Sequence, residues 1–322
     1  MKFSVIVPNF TGKKEKLSIL ETCLDSFTKF HKNDPLLKEI IVSDDASPLE
    51  LRPSIAEIAK KYNARLVQKE TNGGYAKNAN AGLAAASSDT DVVLMVNNDV
   101  VFTGPVLAIL AQDFAADPAL GIVGALIFYP DGSIQHAGVK RNGFQFSHIG
   151  WKKQIENFPE LNQPKYMLAV VGAIEAIRKK MLDEIGAFDE TLLISREDTQ
   201  ICIRAWLKNW KVLYQPRFQV THLEGATRGS SLLDKLFRNV QTRKWLMAEF
   251  RTEAMFMNWL RTIDLKALDQ KIEAANASLN TARAPHHQVY ALNRISFRPT
   301  QWLRRALAYI KSRLFYWLSK YV

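Results

Sequence analysis

Short runs rich in Val and Ile alternate with helical stretches through the first hundred residues, and this alternation constrains the fold more than any other feature. "FSVIVP" (3–8), "EIIVSDD" (39–45), "ARLVQ" (64–68) and "DVVLMVNND" (91–99) read as strands, with helical periodicity around residues 16–31 between the first two. Parallel strands need a crossover of helical length between them and are covered on both faces, so they are apolar throughout rather than alternating. The pattern therefore predicts an α/β fold: a mainly parallel sheet flanked by helices. In such sheets ligands bind beyond the carboxyl ends of the strands.

Four strand tips carry polar residues in succession: Pro8-Asn9, Asp44-Asp45, Asn72-Gly73-Gly74 and Asn97-Asn98-Asp99. One such tip is an ordinary solvated turn; four on one sheet edge make the floor of a candidate site. From about residue 231 the strand signals stop and apolar residues recur at helical spacing. This places a domain boundary near 230, with an α/β domain over 1–230 and a C-terminal helical extension over 231–322.

Charge sets the end of the chain apart. The chain of 322 residues carries a net charge of +11; after Glu273 come eight basic residues and no acid, which leaves +3 for the first 273 residues. In "WLRRALAYIKSRLFYWLSKY" (302–321), Leu303, Leu307, Ile310, Leu314, Trp317, Leu318 and Tyr321 fall on one helical stripe, flanked by Arg304, Lys311, Arg313 and Lys320. Five basic residues within twenty do not suit a spanning helix, but a basic amphipathic helix with aromatics suits a membrane surface. The same stripe would also serve for docking on protein. The N-terminal residues show no export signal, and two cysteines cannot form a disulfide framework. The expected location is the cytoplasm, on the cytoplasmic face of the membrane.

The ordered segments "VIVPNF", "IIVSDDAS" (40–47), "NGGYAKNANAGL" (72–83), "NND" (97–99), "DGSIQHAGV" (131–139), "GAFDE" (186–190) and "REDTQICIRAWLKNWKV" (196–212) resemble the motifs of family 2 glycosyltransferases with a GT-A fold. The resemblance covers residues 3 to 225. It implies an inverting transferase for a hexosyl or deoxyhexosyl unit, with a nucleoside-diphosphate sugar, of UDP or dTDP type, as donor. A growing glycan, lipid-linked ones included, would be the acceptor. Pro8, Asn9 and Asp44 would then hold the nucleoside, and Asn72, Gly73 and Lys77 would approach the diphosphate. In the family the triplet at 97–99 is of D-x-D type, its last acid holding a divalent cation. Here Asn97 and Asn98 precede Asp99, so one charge is missing and metal affinity should be lower.

His222 stands where many relatives carry another metal ligand, and oxygen ligands with one imidazole suit Mn2+ or Mg2+. The resemblance makes Asp198 the catalytic base, with Glu197 beside it. A carboxylate suffices because the acceptor hydroxyl loses its proton only as the new bond forms. Arg204, six residues on, sets this acidic pair apart from simple helix-dipole complements. His136 and Asp189 are expected to pack structurally, and Ala187 departs from the usual glycine of its motif.

Rival readings lack their signatures. A sugar-nucleotide pyrophosphorylase or a Rossmann dehydrogenase needs a glycine-rich loop after the first strand, and "VPNFTGKKEK" is not one. A near-neutral body argues against nucleic acid as a partner. A catalytically degenerate binding module of the same fold is disfavoured by the retained Asp99 and Asp198.

Overall fold

The computed structural model describes residues 1–192, 195–223 and 240–282. The expected amphipathic segment at 302–321 lies outside the described residues. Phe3–Asn9 forms β1, followed by α1 (Leu17–His31), β2 (Leu37–Asp44), α2 (Arg52–Lys61), β3 (Ala64–Gln68), α3 (Tyr75–Ala85) and β4 (Val92–Val96). All seven residues of β1 and all five of β4 are buried, as strands covered on both faces must be. The chain then runs through β5 (Val100–Phe102), α4 (Leu107–Ala116), β6 (Leu120–Phe128), β7 (Ile134–His136), the β8–β9 hairpin (Val139–Asn142 and Gln145–His148) and β10 (Lys165–Tyr166). It closes with β11 (Ile174–Arg178), α5 (Lys179–Ile185), α6 (Glu197–Leu207), β12 (Lys211–His222), α7 (Val240–Leu260) and α8 (Leu265–Ala282).

The main sheet has the order β10-β12-β6-β11-β4-β1-β2-β3, with β5 paired to β12 and β7 to β6. Strands β1 to β4, β6 and β12 run one way; β11 lies antiparallel between β4 and β6. The result is the mainly parallel, helix-flanked sheet expected of a GT-A fold. Because β11 is reversed, its first residues stand at the same edge as the last residues of β1, β2, β4 and β12, and this edge collects the polar tips.

The two helices of the extension are held tightly. Phe256 and Leu260 are fully buried and join the same hydrophobic cluster as the sheet. Asn276 bonds the backbone of Tyr166 in both directions at 2.9 Å. Arg196, immediately before α6, makes a two-pronged ion pair with Glu253 of α7 (2.8 and 3.0 Å) and lies over the rings of Phe146 and Phe256. The extension thus braces the start of the helix that carries Asp198.

Both cysteines are buried free thiols. No helix among the described residues is long and apolar enough to cross a membrane.

Candidate active site

The tips of β1, β2 and β4 are laced together from within. Asn98 donates through Nδ2 to Asn9 Oδ1 (2.7 Å), and Asn9 donates through its own Nδ2 to Asp44 Oδ1 (2.8 Å). Asp44 also accepts from the Ser47 hydroxyl (2.6 Å) and the Ser47 N–H (3.1 Å). Asn9 and Asp44 are almost completely enclosed, and Pro8 is buried with them. These residues, expected to meet the nucleoside, fix three strand ends in mutual register through a buried polar chain whose members satisfy one another.

Beside them the glycine-rich turn is pinned by Asp45. Its carboxylate accepts from the N–H groups of Gly73 and Gly74, both at 2.9 Å, and from Lys69 Nζ at 2.6 Å. Asn72 adds a bond from Nδ2 to the Asp45 carbonyl. Gly74 sits at φ +83°, a conformation L side chains rarely adopt, and α3 starts at the next residue. Lys77, one turn into α3, is exposed, and its side chain passes close to Gly73. A cation and a helix N-terminus therefore face the same strand edge, an arrangement suited to phosphate.

The triplet that follows β4 splits in function. Asn97 donates its backbone N–H to the Ala173 carbonyl (2.8 Å), tying β4 to the chain entering β11. Asn98 turns inward to Asn9. Asp99 Oδ1 meets His222 Nε2 at 2.9 Å, so the last residue of β12 comes to the triplet across 123 positions. The Asp99 and His222 side chains are 6 % and 11 % exposed, leaving little room for water to screen them. His222 Nδ1 faces Gln135 Oε1 at 2.7 Å. An amide oxygen only accepts, so in the neutral imidazole this contact favours the proton on Nδ1; Nε2, which here faces the Asp99 carboxylate, would then be the atom to bind a cation in place of that contact.

Carboxylate plus oriented imidazole fits a divalent ion. No cluster of three or more His, Cys, Asp or Glu side chains is gathered among the described residues, so further ligands would have to come from elsewhere, as phosphate oxygens commonly supply them. Gln135 was not singled out from sequence, since nothing local marks an amide 87 residues from its partner.

Glu197 and Asp198 open α6. Asp198 Oδ2 accepts the Gly172 N–H at 3.0 Å, while Oδ1 accepts the Thr199 N–H (2.5 Å) and hydroxyl (3.1 Å). The Gly172 carbonyl in turn accepts the hydroxyl of Tyr75, the first residue of α3. Residues 172 and 173 therefore join the three parts of the edge: Gly172 to Asp198 and α3, and Ala173 to Asn97.

Arg204 does not belong to this group. Its guanidinium holds the carbonyls of Ile185, Gly186 and Ala187, closing the turn after α5 where Gly186 stands at φ +80°. It is a structural clamp rather than a partner of Asp198. Asp189 packs as expected, against Gln200 (2.8 Å) and Thr191 (2.6 Å). Burial alone would raise its carboxyl, but these bonds and nearby Arg204 hold it below the usual range. His136 is enclosed, accepts the Val171 N–H at Nε2 (3.2 Å), and lies 2.8 Å from His148 between their Nδ1 atoms. Burial first, and His148 second, push its imidazole well below the ordinary value, which keeps it neutral.

Comparison with known proteins gives this geometry a context. The family model described as glycosyl transferase family 2 matches residues 4–186. The chain is 24 % identical over 254 residues to the O-antigen biosynthesis protein RfbC of Myxococcus xanthus, covering 76 % of this chain and 19 % of that protein. It is 25 % identical over 231 residues to a probable polypeptide N-acetylgalactosaminyltransferase 8 of Homo sapiens, covering 65 % and 34 %. The chain thus spans about a fifth to a third of the length of these two relatives. Among solved structures, GalNAc-T7 with UDP, GalNAc and Mn2+ has a TM-score of 0.57 at 19 % identity, covering 71 % of this chain and 46 % of that one. The mannosyltransferase PcManGT from Pyrobaculum calidifontis, in complex with GDP-Man and Mn2+, has a TM-score of 0.54 at 15 % identity, covering 88 % and 76 %. At such identities the structural likeness establishes the fold.

Proposed function

The chain belongs to glycosyl transferase family 2, and on that footing we propose that it moves a sugar from a nucleoside diphosphate, of UDP or dTDP type, to a hydroxyl of a growing glycan, with inversion at the anomeric carbon. One observation carries this reading. The Asp99–His222 pair and Asp198 stand on the same sheet edge, linked through the backbone of residues 172 and 173, with a glycine-rich helix start beside them.

The roles follow from the chemistry of each group. Asp198 takes the proton of the acceptor hydroxyl as that oxygen bonds to the anomeric carbon, while the bond from this carbon to the diphosphate oxygen breaks and the nucleoside diphosphate leaves with the electron pair. No protein nucleophile is involved, so a single displacement inverts the centre. Gly172 and Thr199 hold the base in place, and Glu197 shares its helix start. Asp99 and His222 would hold Mn2+ or Mg2+, which when bound neutralises charge on the departing diphosphate. Lys77 and the first turn of α3 face the phosphates. Pro8, Asn9, Asp44, Asn97 and Asn98 frame the nucleoside side of the edge. The relation to an O-antigen biosynthesis protein favours a surface polysaccharide as the product, with a lipid-linked acceptor reached by a protein resting on the membrane through residues 302–321.

The test is Asp198→Asn, nearly isosteric but unable to accept the proton. Turnover should fall on the order of a hundredfold or more while calorimetric donor binding stays close to wild type. If the variant keeps more than about a third of wild-type turnover, Asp198 is not the base.

A further inference from the structure

Second in β11, and central in the apolar run "AIEAI", stands Glu175. It is completely enclosed, and neither of its carboxyl oxygens has a hydrogen-bond partner among the described residues. In the sheet its neighbours are Met95 of β4 and Gly124 of β6, neither of which brings a charge. The ionisable groups facing it come from α6: the carboxyls of Asp198 and Glu197 and the Cys202 thiol. A buried polar group without a partner calls for a physical explanation, and a carboxylate anion enclosed beside two further acids is the costliest form this one could take.

Its position relative to Asp198 supplies the explanation. A Cβ added to Gly172 would lie 3.7 Å from Asp198 Oδ2 and 3.7 Å from Glu175 Oε1, so the two carboxyls flank the same bare glycine. Their surroundings are opposite in kind. Three donors converge on Asp198, the company of an anion, and none on Glu175.

We propose that Glu175 and Asp198 form an unequal carboxyl pair in which Glu175 keeps its proton at working pH and serves as a positioning residue for the base. Held neutral, Glu175 adds no second negative charge against Asp198, and its O–H brings a donor to the flank of the base. The assignment follows a general rule: where two titratable groups lie together in environments that push them apart, the environments assign the roles. Burial, then Asp198, then Glu197 push the Glu175 carboxyl well above the usual range, consistent with the geometry. The inference rests on Asp198 being the base for what the pair does, but not for where the proton sits.

Two substitutions in the full chain separate these claims. Glu175→Gln reproduces the size and donor capacity of the protonated acid, and Glu175→Leu removes the donor. In the unfolded chain Glu175 ionises near its ordinary value of about 4.3, and in the folded protein only at higher pH, so wild type loses this group's contribution as pH rises through that window. Glutamine has no proton to lose. The melting temperature of Glu175→Gln should match wild type near pH 4 and exceed it by a margin that widens toward neutral pH. In an Asp198→Asn background that margin should shrink, because one facing charge is gone. In the transfer assay, Glu175→Gln should keep turnover within about threefold of wild type. Glu175→Leu should lose about tenfold or more in kcat with the donor KM unchanged.

A Glu175→Gln variant whose stability falls below wild type as pH rises would overturn the proposal, since it would mean the native group is an anion with a partner. Wild-type kcat in a folded Glu175→Leu would remove the positioning role. Should the leucine variant not fold, the pH dependence of the glutamine variant decides alone. Because melting is read without turnover, failure of Asp198 as base, seen in Asp198→Asn activity, is distinguishable from failure of the proton assignment.

Discussion

Gly172 offers a graded way to displace the proposed base, Asp198, without altering its chemistry. An alanine methyl there would stand 3.1 Å from Asp198 Cβ, against an ordinary contact of 3.4 Å or more, while its 3.7 Å separations from Asp198 Oδ2 and Glu175 Oε1 are unstrained. The clash is therefore with the stem of the base, and relieving it moves Asp198 by a few tenths of an ångström. A misplacement of about 1 Å costs roughly a hundredfold in a positioned reaction, so a shift of about 0.3 to 0.5 Å should cost about four- to tenfold. Valine, with two further carbons, should approach the hundredfold end. Packing the extra methyl should lower stability by about 1–3 kcal/mol without unfolding the chain. Steady-state transfer kinetics across Gly, Ala and Val at 172, with melting curves alongside, read both effects. The expected pattern is a stepwise fall in kcat with the donor KM nearly constant. Alanine with wild-type kcat would refute the reasoning, because it would mean that the contact at Gly172 does not aim the base.

Two further perturbations probe the rest of the edge. Gln135→Leu removes the acceptor that puts the proton on His222 Nδ1, and should weaken Mn2+ affinity about 10- to 100-fold, the usual cost of losing an outer partner of a metal-binding imidazole; a Mn2+ titration of the variant showing unchanged affinity would exclude this orienting role. Asp45→Ala leaves the N–H groups of Gly73 and Gly74 and the Lys69 ammonium without their shared acceptor. Donor KM should rise about tenfold or more with a smaller change in kcat, since the proposal makes the glycine-rich turn a binding rather than a reacting element; an unchanged KM would separate the turn from donor binding.

The first half of the fold was legible because parallel strands covered on both faces must be apolar, and β1, β2 and β4 are Val- and Ile-rich runs broken by helical spacing, while β3 lies at the sheet edge with none of its residues buried. What the pattern could not supply was the order of strands. Nothing local in "IEAIR" says that β11 enters antiparallel between β4 and β6, since that choice is made by pairings with residues about 50 to 80 positions away. The consequence is functional: only a reversed β11 brings Gly172 and Ala173 to the edge where Asn97 and Asp99 end their strand. The helical spacing of residues 240–282 was legible, but not the grip of these helices on α6, which rests on long-range contacts such as the Arg196–Glu253 ion pair and the bond from Lys271 to the Trp206 carbonyl.

The site divides along the same line. Asp99, His222 and Asp198 could be picked out as candidates because each is a polar residue that interrupts an apolar pattern at a boundary, Asp99 between β4 and β5, His222 at the end of β12 and Asp198 at the start of α6. Arg204 misled because its spacing from Asp198 suggested a shared site, whereas the guanidinium turns to the carbonyls of 185–187. The tie from Asp45 to the glycine-rich turn was not legible, because an acid at a strand tip shows its partners only once the loop it meets is placed. Glu175 carried a signal that was present in the sequence: an acid in the centre of an apolar run with Ile and Ala on both sides. A charged residue is almost never fully buried without a partner. An acid in such a run is therefore either wrongly placed in the interior or held there in its neutral form, and the second alternative ties it to whatever ionised group shares its surroundings. Here that group is Asp198, reached from α6 across a glycine with no side chain to separate them.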